Sequence, residues 1–185
     1  MQHRRIYFIE GAFPQMCSGC RLCEVVCSFH HEKMFAPWLS RIRVFKKEPA
    51  VDYPVFCRRC KNPPCVKSCE FSALKVDTNS GVIVVDKEAC IGCGECSKAC
   101  SFGAIYMPDD GEFPLVCDLC GGDPKCVKYC PAGVLKFMTS EELARVKQEK
   151  IALGHMDKFL EKWGLAPQKE KPSPVEAMAI GQLKL

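Results

Sequence analysis

The 185-residue chain carries sixteen cysteines, and they fall into four groups of four with none left over. The first is Cys17, Cys20, Cys23 and Cys27, spaced C-x2-C-x2-C-x3-C, and the third, Cys90, Cys93, Cys96 and Cys100, repeats that spacing. The second (Cys57, Cys60, Cys65, Cys69) widens the middle gap to four residues and the fourth (Cys117, Cys120, Cys126, Cys130) to five. Three thiolates so closely spaced can cap three irons of a cubane [4Fe–4S] cluster, and the cysteine one turn further on usually reaches a different cluster. Gly92 and Gly94 let the backbone of the third group wrap close to the sulfurs, where a Cβ would clash. Four [4Fe–4S] clusters account for all sixteen cysteines at once.

Other cysteine chemistries fit less of the pattern. Structural zinc accepts C-x2-C pairs but takes four ligands per ion, typically from two separated knuckles, and leaves the three-plus-one grouping unexplained. Redox C-x-x-C chemistry needs one exposed pair rather than four repeated groups. Disulfides suit exported proteins, yet residues 1–10 run into Gly11 and Pro14 without an apolar leader, and Glu10 interrupts the stretch after Arg4 and Arg5. A cytoplasmic location is expected, and without 18 consecutive apolar residues no membrane span is expected. No Ser/His/Asp set, phosphate-binding glycine loop or carboxylate pair stands out, so the expectation is a non-catalytic protein. The formal charge of +4 need not mean nucleic acid. Four oxidised clusters, each about −2 with its thiolates, would bring the total to about −4, and basic residues near the cysteines would offset that charge.

Such ligands need short elements to hold them, and each repeat is too small to bury a core of its own. Residues 4–9 read as a short strand leading into the first group. Residues 23–32 read as one or two helical turns, 41–46 as a half-buried alternating strand, and 48–54 as a linker. Residues 73–76 and 81–85 flank a turn and predict a hairpin, and 104–107 with 113–116 predict a shorter one. Thr139 with Glu142 fits a capping box, followed by Leu153, Met156, Leu160 and Trp163 at helical spacing. Gly154 makes this one bent helix or two, with Gly164 and Pro167 as stop signals. Residues 168–174 read as a disordered spacer before a short apolar tail. The expected fold is α+β: small, loop-rich, ferredoxin-like modules with short antiparallel hairpins, plus a C-terminal helical extension.

Two pairings of the groups compete. The sequential one joins first with second and third with fourth; the nested one joins second with third and first with fourth. Spacing favours neither strongly, although the 20 residues between Cys69 and Cys90 suit a second/third module.

The four groups, together with Asn62 to Cys65, Cys90 to Cys96 and Pro124 to Pro131, resemble the four-cluster polyferredoxin subunits of molybdenum and tungsten oxidoreductases. The iron–sulfur subunits of dimethyl sulfoxide reductase and formate dehydrogenase belong to that family. The resemblance covers about residues 4–137 and implies the nested pairing. It assigns Cys17, Cys20 and Cys23 with Cys130 to one cluster, and Cys117, Cys120 and Cys126 with Cys27 to its mate. The inner sets are Cys57, Cys60 and Cys65 with Cys100, and Cys90, Cys93 and Cys96 with Cys69. It implies a four-cluster domain over 1–137, an inner module at about 50–109 nested in an outer one, and an extension at 138–185. The family usually has proline after each fourth cysteine. Here only Pro131 remains, and Ser28, Glu70 and Ser101 stand at the others, which should alter solvent access and potentials.

The implied function is electron relay between a molybdenum- or tungsten-pterin catalytic subunit and a further electron-transfer protein, within a hetero-oligomer. The compact build is similar to the small subunits of cytoplasmic tungsten enzymes of the aldehyde oxidoreductase family, including class II benzoyl-CoA reductase. A free-standing soluble polyferredoxin and a structural zinc-binding interaction protein are the alternatives. Arg58, Arg59 and Lys61 could tune a cluster or steer an acidic partner, or be solvated surface charge. His30 and His31 read as surface or packing residues rather than ligands. Trp38 and Trp163 could anchor an interface or pack in a core.

Overall fold

The computed structural model describes residues 4–9, 16–48, 51–109 and 111–165. The cysteine-bearing unit runs to Ser140, and a second unit begins at Glu141. Three two-stranded antiparallel sheets frame the first unit. Strand β1 (Arg5–Phe8) pairs with β6 (Leu135–Met138), Arg5 opposite Met138 and Phe8 opposite Leu135. This sheet joins the chain ahead of the first cysteine group to the chain just after the fourth.

Strand β2 (Ile42–Lys47) forms a ribbon with β3 (Val51–Phe56). The linker expected at 48–54 therefore contains most of a strand. Val51, Tyr53 and Val55 favour extended backbone, and Pro54 is tolerated because of where it falls. It lies opposite Val44, whose N–H turns away to donate to Glu24 Oε1 at 2.6 Å. The pair thus asks for no N–H from the proline.

Helix α1 (Leu22–Glu32) runs for 11 residues, longer than the one or two turns expected. Ser28 explains the length. A proline there would lose a backbone donor and clash with the preceding turn. The serine instead donates its hydroxyl to the Val25 carbonyl (3.0 Å) and accepts from the Ala36 N–H (3.2 Å). It is completely buried.

The inner cysteines sit on shorter pieces. Helix α2 (Pro64–Lys67) starts on a proline, β4 (Leu74–Val76) and β5 (Ile83–Val85) make the expected hairpin, and α3 (Glu95–Ala99) follows. The second expected hairpin is reduced to one bridge, Tyr106 to Leu115; Pro108 and Pro114 leave too few donors for a ladder. Helix α4 (Lys125–Lys128) precedes β6.

Two small cores result. Ile6, Ile42, Val44, Phe56, Leu119 and Leu135 pack with Cys23, Cys27 and Cys126, while Ala73, Leu74, Ile83, Ile105 and Val116 pack with Cys65 and Cys96. The thiols are themselves core residues.

In the second unit, α5 (Ser140–Lys162) is one continuous helix through Gly154. It closes with Gly164 N–H on the Glu161 carbonyl (3.2 Å) and Leu165 N–H on Leu160 (2.9 Å), a Schellman end. None of its residues is buried. The spacer and tail expected beyond it lie outside the described residues. Among the described residues no helix is long and apolar enough to cross a membrane.

Candidate metal centre

In each cysteine group the third and fourth members are four residues apart, on or just beyond a helix. Cys23 and Cys27 lie on α1, so their Cβ atoms are about 5–6 Å apart on one face. Cys65 and Cys69, Cys96 and Cys100, and Cys126 and Cys130 follow the same offset across α2, α3 and α4. One helical turn is enough to send the fourth thiol into a neighbouring space.

The structure gathers the sixteen thiols around four small cavities. Cys17, Cys20, Cys23 and Cys130 line one, and Cys27, Cys117, Cys120 and Cys126 line the next. Cys57, Cys60, Cys65 and Cys100 line a third, and Cys69, Cys90, Cys93 and Cys96 the fourth. The four sets have the same members as those that the resemblance implies.

The loops after each first cysteine repeat one backbone device. The residue two positions on has positive φ: Gly19 (65°), Arg59 (52°), Gly92 (70°) and Leu119 (60°). This turns the backbone N–H of Gly19, Arg59 and Leu119 toward Cys17, Cys57 and Cys117 respectively. Further N–H groups reach the fourth cysteines: Arg41 to Cys27 Sγ (3.2 Å), Ala73 to Cys69 (3.3 Å) and Ala104 to Cys100 (3.4 Å). Hydrogen bonds to sulfur stabilise the more negative state and so bear on potential.

Burial is the first cause that pushes the thiols up from their ordinary range: Cys65 to about 11 and Cys23 to about 12. It raises Cys117 and Cys126 further still. At neutral pH these groups are protonated unless a cation holds them as thiolates, so metal loading releases protons. An all-sulfur set of four thiols, three close in sequence and one crossing from another group, fits a [4Fe–4S] cubane.

The four cavities follow one another. Cys126 interacts electrostatically with Cys23, linking the two outer sets, and Cys117 with Cys57, linking outer to inner. Only the two end cavities own an exposed cysteine, Cys20 at one end and Cys93 at the other.

His31 and its neighbours belong to the cavity of Cys27. Its Nε2–H donates to Asp118 Oδ1 (2.9 Å), and Nδ1 lies 2.9 Å from the Cys27 carbonyl. Burial pushes its pKa down, but hydrogen bonds to Asp118 and Cys27 outweigh this and raise it to about 10. Burial pushes Asp118 up, yet His31 and the Cys120 N–H bring it down to about 2. His30, His31 and Cys120 do bring donor atoms within 4.8 Å of one another. Both ring nitrogens of His31 are already engaged, so its role is packing and charge, as the sequence suggested.

Of the three basic residues in the second group, only Arg59 is buried. Arg58 stacks over Phe56 at 4.6 Å and donates to the Tyr53 hydroxyl (2.7 Å), and Lys61 is exposed. Trp38 and Trp163 are both exposed, which excludes the core-packing reading for each. Sequence reasoning missed buried Glu24 and the Asp118–His31 pair. A cue to Arg59 was present: aligning the repeats puts it in the slot of Gly19 and Gly92.

The fold and cavities define a ferredoxin-type iron–sulfur protein, and comparison with known proteins gives the family. A family model described as a 4Fe-4S dicluster domain matches residues 51–140. The chain is 48% identical over 117 residues, 63% of its length and 68% of the relative's, to the polyferredoxin-like subunit of aliphatic sulfonate oxidoreductase from Pyrococcus furiosus. It is 32% identical over 165 residues, 89% of each chain, to an uncharacterised ferredoxin of Methanocaldococcus jannaschii. A chain of the active-site complex BamBC of benzoyl-coenzyme A reductase aligns over 98% of this chain and 99% of its own, at 21% identity and TM-score 0.44. The chain belongs to the polyferredoxin-like family of 4Fe–4S proteins, and it is an iron–sulfur electron-transfer protein.

Proposed function

We propose that the four cysteine sets lining the cavities each hold one [4Fe–4S] cluster, and that the chain relays electrons between its two ends as a subunit of an oxidoreductase complex. The observation that carries this reading is the succession of four cavities, each with four thiols. The clusters supply one-electron redox chemistry. The protein's part is to hold thiolates, aim N–H groups at sulfur and exclude water. Electrons enter or leave where Cys20 and Cys93 meet solvent.

The partner at one end is a molybdenum- or tungsten-pterin catalytic subunit, in a small cytoplasmic complex like those of the aldehyde oxidoreductase family, and at the other a further electron-transfer protein. The Pyrococcus furiosus relative, named as an oxidoreductase subunit, supports this. The ferredoxin that matches over 89% of both lengths favours the second reading, a free-standing carrier. Anaerobic purification at native expression level separates the two. A stable assembly containing molybdenum or tungsten is expected; a monomer would overturn the subunit reading.

A further inference from the structure

Arg59 is 6% exposed, and its guanidinium is held by backbone carbonyls alone. Nε donates to Gly81 (3.1 Å), and the two terminal nitrogens donate to Ser80 and to Arg4. The acceptors come from both modules: Arg4 stands just ahead of β1, and Ser80 and Gly81 lie in the turn between β4 and β5. Among the described residues no carboxylate pairs with this buried cation, and the charge that acts on it most strongly is that of Arg5, of its own sign. A buried charge without a counter-ion is strongly unfavourable.

The backbone adds a second cost. At φ 52° Arg59 occupies the left-handed region, where a Cβ crowds the neighbouring carbonyl oxygen. The first and third repeats have glycine at the same position and the fourth has Leu119. A side chain there is thus tolerated without an anion; the buried charge is what calls for one. Among the thiols, Cys57 and Cys117 bear most on the guanidinium, one from each of the two sets that adjoin where the modules meet. Neutral thiols would not offset a guanidinium, but thiolates of loaded clusters would.

We propose that Arg59 is the shared counter-charge of the two sites that adjoin at the module junction, holding both reduction potentials above those the same thiolates would otherwise have. Adding an electron to either site increases its negative charge, and a fixed cation beside both favours that state in each. The end sites open to solvent at Cys20 and Cys93, where water and salt screen a distant fixed charge. The inference rests on the cluster reading.

The test is an EPR-monitored redox titration of the anaerobically purified full chain, after iron and sulfide counts, on wild type, Arg59→Gln and Arg59→Lys. A wild type without sulfide sinks the cluster reading itself rather than the role of Arg59. In assembled Arg59→Gln, two of the four potentials should fall by about tenfold in equilibrium constant, about 59 mV for a one-electron couple, and the other two should stay. Four unchanged potentials, or four that move alike, overturn the proposal. If Arg59→Gln fails to assemble, Arg59→Lys decides: full clusters with wild-type potentials support it. Failure of the lysine variant too, or assembly with displaced potentials, leaves Arg59 a scaffold residue only and overturns it.

Discussion

The outer and inner halves of the cysteine-bearing unit use the same ligand grammar and very different scaffolds. In the inner half the second and third groups are neighbours in sequence, joined by the β4–β5 hairpin. Its helices are single turns, and Cys65 is pushed up only to about 11. The outer half pairs groups from opposite ends of the chain through β1 and β6. It adds the longer α1, the β2–β3 ribbon and the buried Glu24, and its Cys117 and Cys126 are shifted most. A site whose ligands are distant in sequence needs long-range walls, and those walls also bury it more deeply. The inner site is built almost from local turns.

Removing a fourth cysteine should have the largest effect and should cross between repeats in both halves. Cys130→Ser is expected to disable the site of Cys17, Cys20 and Cys23, and Cys69→Ser that of Cys90, Cys93 and Cys96. Each should drop the iron and sulfide count by about a quarter, the share of one cluster in four. Selective loss of the Cys17 site in Cys69→Ser would contradict the nested sets.

Next comes Ser28→Pro, which restores the family's usual residue. In the outer half it falls inside α1 and removes a buried hydrogen-bonding hydroxyl. It should destabilise by about 3 kcal/mol, read as a lower thermal midpoint of the holoprotein. A neutral result would mean that α1 does not need its continuous backbone.

Ser101→Pro makes the same exchange in the inner half and should be almost silent. The preceding Cys100 is already extended, at φ −76° and ψ 102°, the conformation proline asks of its neighbour. The expected change is within about 1 kcal/mol, of either sign. A loss as large as that of Ser28→Pro would erase the contrast between the halves.

How much was readable beforehand follows the same division. The inner hairpin showed as β-branched runs about a turn, because local pairing leaves local signals. The sheet of β1 with β6 had no such signal, since its register joins residues more than a hundred positions apart. β3 was hidden by Pro54, which looks like a breaker until its partner Val44 is seen to give its N–H to Glu24. The cysteines were legible because spacing alone states their chemistry. Their grouping was not, and it followed from the resemblance rather than from spacing. Arg59 looked like one charge in a basic run, since burial is a property of the walls around a residue and not of its type.

Iron, acid-labile sulfide and zinc per chain, measured on anaerobically purified protein, decide whether the thiols hold clusters. Four irons and four sulfides are expected for each of the four cavities, about sixteen of each per chain, with negligible zinc. Near-stoichiometric zinc with no sulfide would contradict the cluster reading.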